Sequence, residues 1–276
     1  MNYTGDERLN VAGSMTQTLH SIAPEATLDE AMEMMDTCAV RHLPVMDGHT
    51  LIGILSERDL LEATGWLPRR MREVLEAPSG SIREFMHSPV VTVSPENSLV
   101  TASMRLNEWN IGCLPVMRDI SLVGILTDAD VMASYAKACR HHASSIESDP
   151  YVETVMTTDV ISADTGTPAD EALRCCRERS IRHLPVTHDD TLVGCVSDRD
   201  LRMSVGRGQL EGTPVGDLAS IEPIVMGLGE RLSRAAELLA SQRIGAALIV
   251  TEGRLAGIVT STDILRHCTR AFATAP

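Results

Sequence analysis

Apolar and polar positions along the chain change periodicity in the same order four times. In the first copy, Thr27 is a candidate N-cap, and apolar residues recur at helical spacing through 28–35, which predicts a helix with one buried face. Two short apolar runs, 43–46 and 51–55, lie on either side of an Asp-Gly turn signal and predict a β-hairpin. A second helix begins at Ser56. With a leading strand before the first helix, each copy predicts the order β-α-β-β-α.

The four copies share fixed spacings around one anchor position. The anchors are Pro44, Pro115, Pro185 and Leu248. A glycine follows each anchor after nine residues, a hydroxyl residue after twelve and an aspartate after fifteen, while an alanine stands thirteen residues before it. The hydroxyl residues are Ser56, Thr127, Ser197 and Thr260, and the aspartates are Asp59, Asp130, Asp200 and Asp263. Agreement at so many spacings within one chain indicates a repeated structural unit.

The repeats predict an α/β protein made of four small units. Their expected bounds are 11–65, 82–138, 152–208 and 215–271, with an insert at 66–81 and a linker between modules at 139–151. A unit of about 57 residues is near the lower size limit for a stable isolated core, so we expect the units to pack in pairs. Because the polar linker separates the second copy from the third, the first copy pairs with the second and the third with the fourth. The role of the insert is not indicated by the sequence.

Composition and charge narrow the functional class. Hydrophobic residues make up 43% and charged residues 22% of the chain, as in ordinary globular proteins. The sequence has no apolar run near the roughly 20 residues of a membrane-spanning helix, and charges at 6–8 do not fit a secretory signal, so we expect a cytoplasmic protein without membrane contact. A net charge of −14 disfavours nucleic-acid binding.

Cysteine spacing and the absence of a catalytic set argue against two further classes. The seven cysteines contain no CxxC pair, which disfavours a structural zinc site and a disulfide framework. No nucleophile, base and orienting group recur together, and no metal-ligand cluster is present in the sequence, so we expect neither catalytic nor metal-binding residues. An enzyme is the least favoured interpretation.

The repeated motif resembles the cystathionine β-synthase (CBS) domain. The resemblance covers Val11 to Arg270 and is most specific in the first and third copies, which contain Arg-His-Leu-Pro and Ser-x-Arg-Asp. It implies tandem pairs called Bateman modules, with clefts that bind AMP, ADP, ATP or a related ligand such as S-adenosylmethionine. Mg²⁺ is expected only together with a polyphosphate. The resemblance also implies that the motif aspartate holds the ribose hydroxyls and that the backbone around the hydrophobic-Pro strand recognises adenine.

The Ser/Thr-x-x-Asp segments have two interpretations. Ser56 and Asp59 form an ordinary helix start, in which a hydroxyl cap and an acidic residue complement free N–H groups. A carboxylate at that position can also accept two hydrogen bonds from a ribose diol. Both roles are compatible, and the same holds for Thr127 with Asp130, Ser197 with Asp200, and Thr260 with Asp263.

Basic residues occur near the motif in the first and third copies. These residues are Arg41, His42, Arg58, Arg182, His183 and Arg199. They can neutralise a helix C-terminus, or they can bind phosphate, for which the planar guanidinium is suited. Because the second and fourth copies lack them, we expect one phosphate-competent site per module, built mainly around the first and third copies.

Hydroxyl residues also align on the leading strands. Ser21, Thr92 and Ser162 occupy the position at which the resemblance places an adenine-pocket residue. The fourth copy has Val225 there and Leu248 in place of the anchor proline, so it is the copy expected to be degenerate.

The sequence therefore favours a stand-alone regulatory protein that senses energy state through an adenosine nucleotide and acts on a protein partner. The alternative is a structural dimerisation module that binds no ligand. Assembly has two versions, since the expected disc of two modules can close within one chain or in a homodimer.

Overall fold

A computed structural model describes residues 9–63, 80–141, 149–206, 212–220 and 222–273. Most of the predicted insert at 66–81 and most of the predicted linker at 139–151 lie outside these ranges. The helices are α1 (Leu28–Cys38), α2 (Glu57–Ala63), α3 (Leu99–Glu108), α4 (Asp128–His141), α5 (Ala169–Glu178), α6 (Asp198–Gly206), α7 (Leu232–Gln242) and α8 (Ser261–Ala273). The strands are β1 (His42–Asp47), β2 (Thr50–Ser56), β3 (Cys113–Arg118), β4 (Ser121–Thr127), β5 (Ala163–Asp164), β6 (His183–His188), β7 (Thr191–Ser197), β8 (Val225–Met226), β9 (Ala246–Thr251) and β10 (Arg254–Thr260).

These elements form four repeats of the predicted order. Repeat 1 contains α1 to α2, repeat 2 contains α3 to α4, repeat 3 contains β5 to α6, and repeat 4 contains β8 to α8. The leading strand is very short. It is a single parallel bridge in repeats 1 and 2, between Ile22 and Val45 and between Val93 and Val116, and it has two residues in repeats 3 and 4.

Local sequence explains where the first helix starts and which face it buries. The hydroxyl of Thr27 accepts a hydrogen bond from the backbone N–H of Glu30 at 3.2 Å, and the Glu30 carboxylate accepts one from the backbone N–H of Thr27 at 2.7 Å. This reciprocal capping box satisfies two N–H groups that have no partner within the helix. The α1 residues Leu28, Ala31 and Met35 are buried, and the alanines aligned with Ala31 are buried as well.

Within each pair, the segment in front of one repeat pairs with the hairpin of the other repeat. We call residues 10–16, 81–87, 151–157 and 214–220 the lead-in segments. The lead-in of repeat 1 pairs with repeat 2 through a Thr16–Ile125 bridge, and the lead-in of repeat 2 pairs with repeat 1 through a His87–Ile54 bridge. Repeats 3 and 4 exchange their lead-ins in the same way. Repeat 1 is therefore interlocked with repeat 2, and repeat 3 with repeat 4, as predicted.

The two modules differ in how their sheets are joined. In repeats 3 and 4, β7 pairs with β10 between Thr191 and Arg254, which produces a six-stranded sheet in the order β5-β6-β7-β10-β9-β8. In repeats 1 and 2 the hairpins β1-β2 and β3-β4 remain separate two-stranded sheets. Each hairpin contains a register shift, which in repeat 1 falls between Val45 and Met46.

Within the chain, the two modules pack against each other through their helices. One apolar core contains α3 and α4 of repeat 2 together with α7 and α8 of repeat 4. Tyr135 stands edge-on to Phe272 there, with ring centroids 6.3 Å apart. Repeats 1 and 3 contact each other through ion pairs instead, between Glu57 and Arg199 and between Glu62 and Arg202. None of the helices in the described ranges combines the length and apolar character needed to cross a bilayer.

Candidate functional site

The motif aspartate has the same geometry in all four repeats. In repeat 1, one carboxylate oxygen of Asp59, Oδ2, accepts hydrogen bonds from the Ser56 backbone N at 2.8 Å and the Ser56 hydroxyl at 2.6 Å. The corresponding pairs are Thr127 with Asp130 at 2.8 and 2.7 Å, Ser197 with Asp200 at 3.1 and 2.5 Å, and Thr260 with Asp263 at 2.9 and 2.6 Å. The motif aspartate therefore takes part in a helix cap in all four repeats, and the cap uses only one of its two carboxylate oxygens.

The exposure of these carboxylates is not uniform. The side chains of Asp59 and Asp263 are 14% and 15% exposed, and Asp130 is also partly buried. Asp200 is exposed. Burial raises the pKa of Asp130, while hydrogen bonds from Thr127 and the positive charge of Arg243 oppose that rise. Three of the four motif carboxylates are thus partly buried, and the fourth is exposed.

Each cleft combines residues from two repeats. The sequence motif, which lists the residues of one repeat at a time, does not reveal this combination. The His87–Ile54 bridge places the lead-in of repeat 2 along β2, the strand that ends at Ser56, so the leading-strand residue Thr92 belongs with Asp59. By the same pairing, Ser21 belongs with Asp130, and Ser162 belongs with Asp263. Ser21 is exposed.

Two clefts between paired repeats are built alike, each from the second hairpin strand of one repeat and the leading segment and first hairpin strand of its partner. In module 1, a cleft of about 520 Å³ is lined by Leu51, Ile52, Ser88, Pro89, Val90, Thr92, Met117 and Asp119. In module 2, a cleft of about 270 Å³ is lined by Thr158, Val160, Ser162, Thr187, Asp190, Arg254 and Leu255. Of the predicted site residues, only Thr92 and Ser162 are among those that line these two clefts; the motif aspartates and the predicted arginines and histidines are not. Aligned positions differ in chemistry, since Thr187 in module 2 replaces Met117 in module 1.

The arginines that precede the hairpins reach across to the other module. Arg41 Nη2 donates to the backbone oxygen of Arg243, at the end of α7, at 3.0 Å. Arg243 Nη1 donates in return to the backbone oxygen of Ala39, at the end of α1, at 2.5 Å. Arg182 Nη2 donates to Asn110 Oδ1, just after α3, at 3.0 Å. Arg41 thus bonds to a carbonyl at a helix C-terminus of the opposite module, whereas Arg182 bonds to a side-chain amide there.

The arginines inside the motifs are paired with carboxylates. Arg58 contacts Glu62 on its own helix at 3.1 Å, and Arg199 contacts Glu57 of repeat 1 at 2.6 Å. Arg58 and Arg199 remain about half exposed, at 51% and 44%. They lie beside the motif aspartates in sequence, yet their guanidinium groups bond to glutamates.

The predicted histidines are packed against glycines of the paired repeat. A Cβ atom added to Gly112 would lie 3.2 Å from His42 Cε1, and one added to Gly245 would lie 2.5 Å from His183 Cε1. Removal from water lowers the pKa of His42 to about 4, against the opposing charge of Asp59, and lowers the pKa of His183 in the same direction. Both imidazoles are therefore mainly neutral at pH 7 and add no positive charge for a phosphate.

The structure adds residues that the sequence patterns missed. Burial raises the pKa of Asp128, and the charges of both Arg41 and Arg182 oppose that rise, so two arginines from different modules lie near this carboxylate. Arg243 lies close enough to Asp130 to act on its pKa. Arginine side chains from repeats 1, 3 and 4 therefore converge beside repeat 2. Arg243 was missed because it stands where the first copy has Ala39, outside the recurring motif. No group of three or more metal-ligating side chains occurs within the described ranges.

Comparisons with known proteins agree with this architecture. The sequence model of the CBS domain matches residues 10–65, 82–137, 152–207 and 215–270. Protein MJ1225 of Methanocaldococcus jannaschii is 23% identical over 270 residues, which cover 90% of this chain and 94% of that protein. A 33.4 kDa protein of Thermofilum pendens is 28% identical over 254 residues, covering 84% of this chain and 81% of its own length.

Two solved structures share the whole arrangement. The crystal structure of MJ1225 has a TM-score of 0.72 at 23% identity and covers 94% of this chain and 99% of that one. A conserved protein of Pyrococcus horikoshii has a TM-score of 0.65 at 22% identity, with the same coverage. At these identities the likeness shows the fold of the four repeats.

Proposed function

Since this chain belongs to the CBS-domain family, we propose that it is a regulatory protein that binds an adenosine nucleotide in the clefts between paired repeats. The observation that carries the proposal is the fourfold recurrence of one carboxylate geometry, in which Oδ2 serves the helix cap and the cap does not use Oδ1. A ribose presents two neighbouring hydroxyl donors, and a single carboxylate oxygen can accept both.

The apolar lining of the module 1 cleft supports a place for the base. Leu51, Ile52, Val90 and Met117 offer surfaces against which a flat purine ring can pack, and Thr92 adds a polar group on the leading strand. Binding sites for small molecules commonly combine mostly apolar walls with a few polar groups that fix orientation. AMP, ADP, ATP and S-adenosylmethionine share the adenosine that such a cleft would hold.

The converging arginines support a place for the phosphates. A chain with a net charge of −14 repels anions in general, so a nucleotide tail needs a local concentration of positive charge. Arg41, Arg182 and Arg243 provide it beside repeat 2, near Asp128 and Asp130, which is the cleft of Ser21 and not the cleft that Thr92 lines. Because Arg41 and Arg182 now bond to groups of the opposite module, a phosphate that replaced those bonds would change how the modules contact each other.

If a bound phosphate replaces the bonds between the modules, the protein has a means of signalling to a partner. A nucleotide can shift the equilibrium between two arrangements only by its difference in affinity for them. A partner protein that binds one arrangement would then report the nucleotide concentration. MJ1225, which shares the fold, is described as a proposed archaeal homolog of g-AMPK, and a role in sensing cellular energy state in the cytoplasm agrees with that description.

A structural module that binds no ligand is the second candidate. The specific observation in its favour is that the four arginines predicted to bind phosphate all bond to protein groups. In this case the motif aspartates would act only as helix caps, and the arginines only as links between repeats.

A thermal-shift panel with AMP, ADP, ATP and S-adenosylmethionine separates the two candidates. A ligand present at a hundredfold its Kd stabilises the fold by about 2.7 kcal/mol, which raises the melting temperature by several degrees. Asparagine keeps a side-chain oxygen for the cap but loses the second carboxylate acceptor. We therefore expect the shift in the wild type and its loss in a variant with Asp59→Asn, Asp130→Asn, Asp200→Asn and Asp263→Asn. Asp189→Asn, on an exposed hairpin turn, is the matched control.

The panel has a clear negative result. If no ligand shifts the melting temperature of the wild type, the structural module is the correct interpretation. If a ligand shifts wild type and the four-asparagine variant equally, it binds outside the motif clefts and the proposal is wrong.

A further inference from the structure

The last position of the lead-in segment is a histidine in repeat 2 and a small hydroxyl residue in the other three repeats. His87 of the repeat 2 lead-in aligns with Thr16, Thr157 and Ser220 of the other lead-ins. Each of these residues forms an antiparallel bridge to the second hairpin strand of the partner repeat, with Ile54, Ile125, Ile258 and Cys195 respectively. The backbone position is therefore the same in all four places. The side chain is an imidazole once and a small hydroxyl group three times.

The imidazole of His87 bonds to the motif aspartate. Its Nε2 lies 3.0 Å from Asp59 Oδ1, the oxygen that the helix cap does not use. The backbone of His87 is fixed by two hydrogen bonds to Ile54, at 2.8 and 3.1 Å. The ring itself is 72% exposed, whereas the Asp59 side chain is 14% exposed. The lead-in thus holds the imidazole at the carboxylate, and the ring can swing away from it into solvent.

A count of hydrogen bonds shows what this contact does. A carboxylate accepts about four hydrogen bonds. At Asp59, Ser56 supplies two and His87 a third, which leaves room for one more. At Asp263 the cap also uses two, and the nearest ion-pair partner, Arg266, is 3.7 Å away, beyond hydrogen-bonding distance. Two acceptor positions remain there, as many as a ribose diol requires.

We propose that His87 is a specificity-determining residue that weakens the Asp59 cleft for nucleosides with a vicinal diol and makes it insensitive to the 2′-hydroxyl. The inference rests on the proposed function, because it assumes that the motif aspartates bind ribose. A ribonucleoside must displace His87 to use both acceptor positions of Oδ1. A 2′-deoxynucleoside uses one position and leaves His87 on the other. The number of hydrogen bonds is equal in the two cases, so this cleft gains little from the 2′-hydroxyl.

The test isolates single clefts in the full-length chain. Asp130→Asn, Asp200→Asn and Asp263→Asn together leave only the Asp59 cleft, and these changes retain a cap acceptor in every helix. Calorimetric titration with AMP and with 2′-deoxy-AMP is then performed with and without His87→Thr, which installs the residue found in two other lead-ins. We expect His87→Thr to tighten AMP binding about tenfold, the effect of one hydrogen bond to a charged group. We also expect it to create about tenfold discrimination against 2′-deoxy-AMP.

A reciprocal variant provides the matched control. Thr157→His places an imidazole at the equivalent position facing Asp263, in a chain whose other three motif aspartates are asparagine. It should weaken AMP binding about tenfold and remove discrimination against 2′-deoxy-AMP. Should an asparagine background not fold, His87→Thr in the otherwise wild-type chain must still add one tighter AMP site.

The outcomes separate this inference from the proposed function. If the wild type binds no adenosine ligand, the proposed function itself is wrong. If the wild type binds AMP through the motif aspartates but His87→Thr leaves both affinities at the Asp59 cleft within twofold, only the role of His87 is overturned. A tighter site with new discrimination against 2′-deoxy-AMP supports it.

Discussion

Repeats 2 and 4 meet each other through a continuous apolar core, whereas repeats 1 and 3 meet through ion pairs. In the first contact, Tyr135 and Phe272 are almost fully buried and stand edge-on to each other. In the second, Arg199 bonds to Glu57 at 2.6 Å and remains 44% exposed. The same structural unit, used four times, thus makes two chemically opposite contacts across the module interface.

The repeats that make the ionic contact also contain the basic motif residues. His42 and His183 belong to repeats 1 and 3, and Gly112 and Gly245 of repeats 2 and 4, which align with Arg41 and Arg182, leave room for their rings. Burial of apolar surface gives most of the free energy of folding, while exposed ion pairs add little. The comparison indicates that repeats 2 and 4 hold the modules together and that repeats 1 and 3 retain adjustable polar groups.

Loss of an aromatic ring from the apolar contact should have the largest effect on stability. Phe272→Ala removes a ring that is 5% exposed and leaves a cavity beside Tyr135, so we expect the free energy of unfolding to fall by about 3–5 kcal/mol. Denaturant titration followed by circular dichroism measures the change. Met104→Ala, at a residue that is 51% exposed, should change stability by no more than about 0.5 kcal/mol. Equal effects of both changes would contradict the assignment of the core.

Acid should destabilise the fold through His42 of repeat 1. The folded pKa of His42 is about 4, below its ordinary value of 6.5, so the unfolded chain binds the proton first. Its stability contribution is therefore complete above pH 6.5 and is lost as pH falls from 6.5 towards 4. The loss is at most about 3 kcal/mol.

The control for the acid effect is a second histidine change. His42→Gln should flatten the dependence of unfolding free energy on pH between 4 and 6.5, whereas His49→Gln, at an exposed turn, should leave it unchanged. A steep dependence that persists in His42→Gln would assign the acid sensitivity to another group.

The sequence predicted the units better than it predicted the sites. Helical spacing after Thr27 and the turn signal at Asp47-Gly48 are local, so α1 and the β1-β2 hairpin agree with their predictions. The cap at Asp59 was also predicted, because a helix start depends on neighbours in sequence. The length of the leading strands was not predicted, since their pairing depends on long-range contacts.

The composition of each cleft could not be predicted, because it depends on the exchange of lead-ins between repeats. The contact between His87 and Asp59 joins two copies of the unit, and the bonds between Arg41 and Arg243 join two modules. The neutral state of His42 depends on packing against Gly112, to which the repeat pattern gives no clue. Repeat 4 supplies Arg243 although its motif lacks the basic residues of repeats 1 and 3.

Removal of an ion pair between repeats 1 and 3 should have the smallest effect. Glu57→Gln breaks the pair with Arg199, and we expect a change in unfolding free energy of less than about 1 kcal/mol, because exposed ion pairs are well solvated. The remaining effect should decrease as salt is added. A loss as large as that of Phe272→Ala would remove the distinction between the two contacts.

The most direct test of the central claim is a crystal structure of the chain grown with AMP. The account predicts that the two ribose hydroxyls lie within about 3.2 Å of a motif aspartate Oδ1, while Oδ2 keeps its bonds to the preceding Ser or Thr. It also predicts that the phosphate contacts at least one of Arg41, Arg182 and Arg243. A nucleotide bound away from these aspartates, or clefts without nucleotide at saturating AMP, would contradict the account.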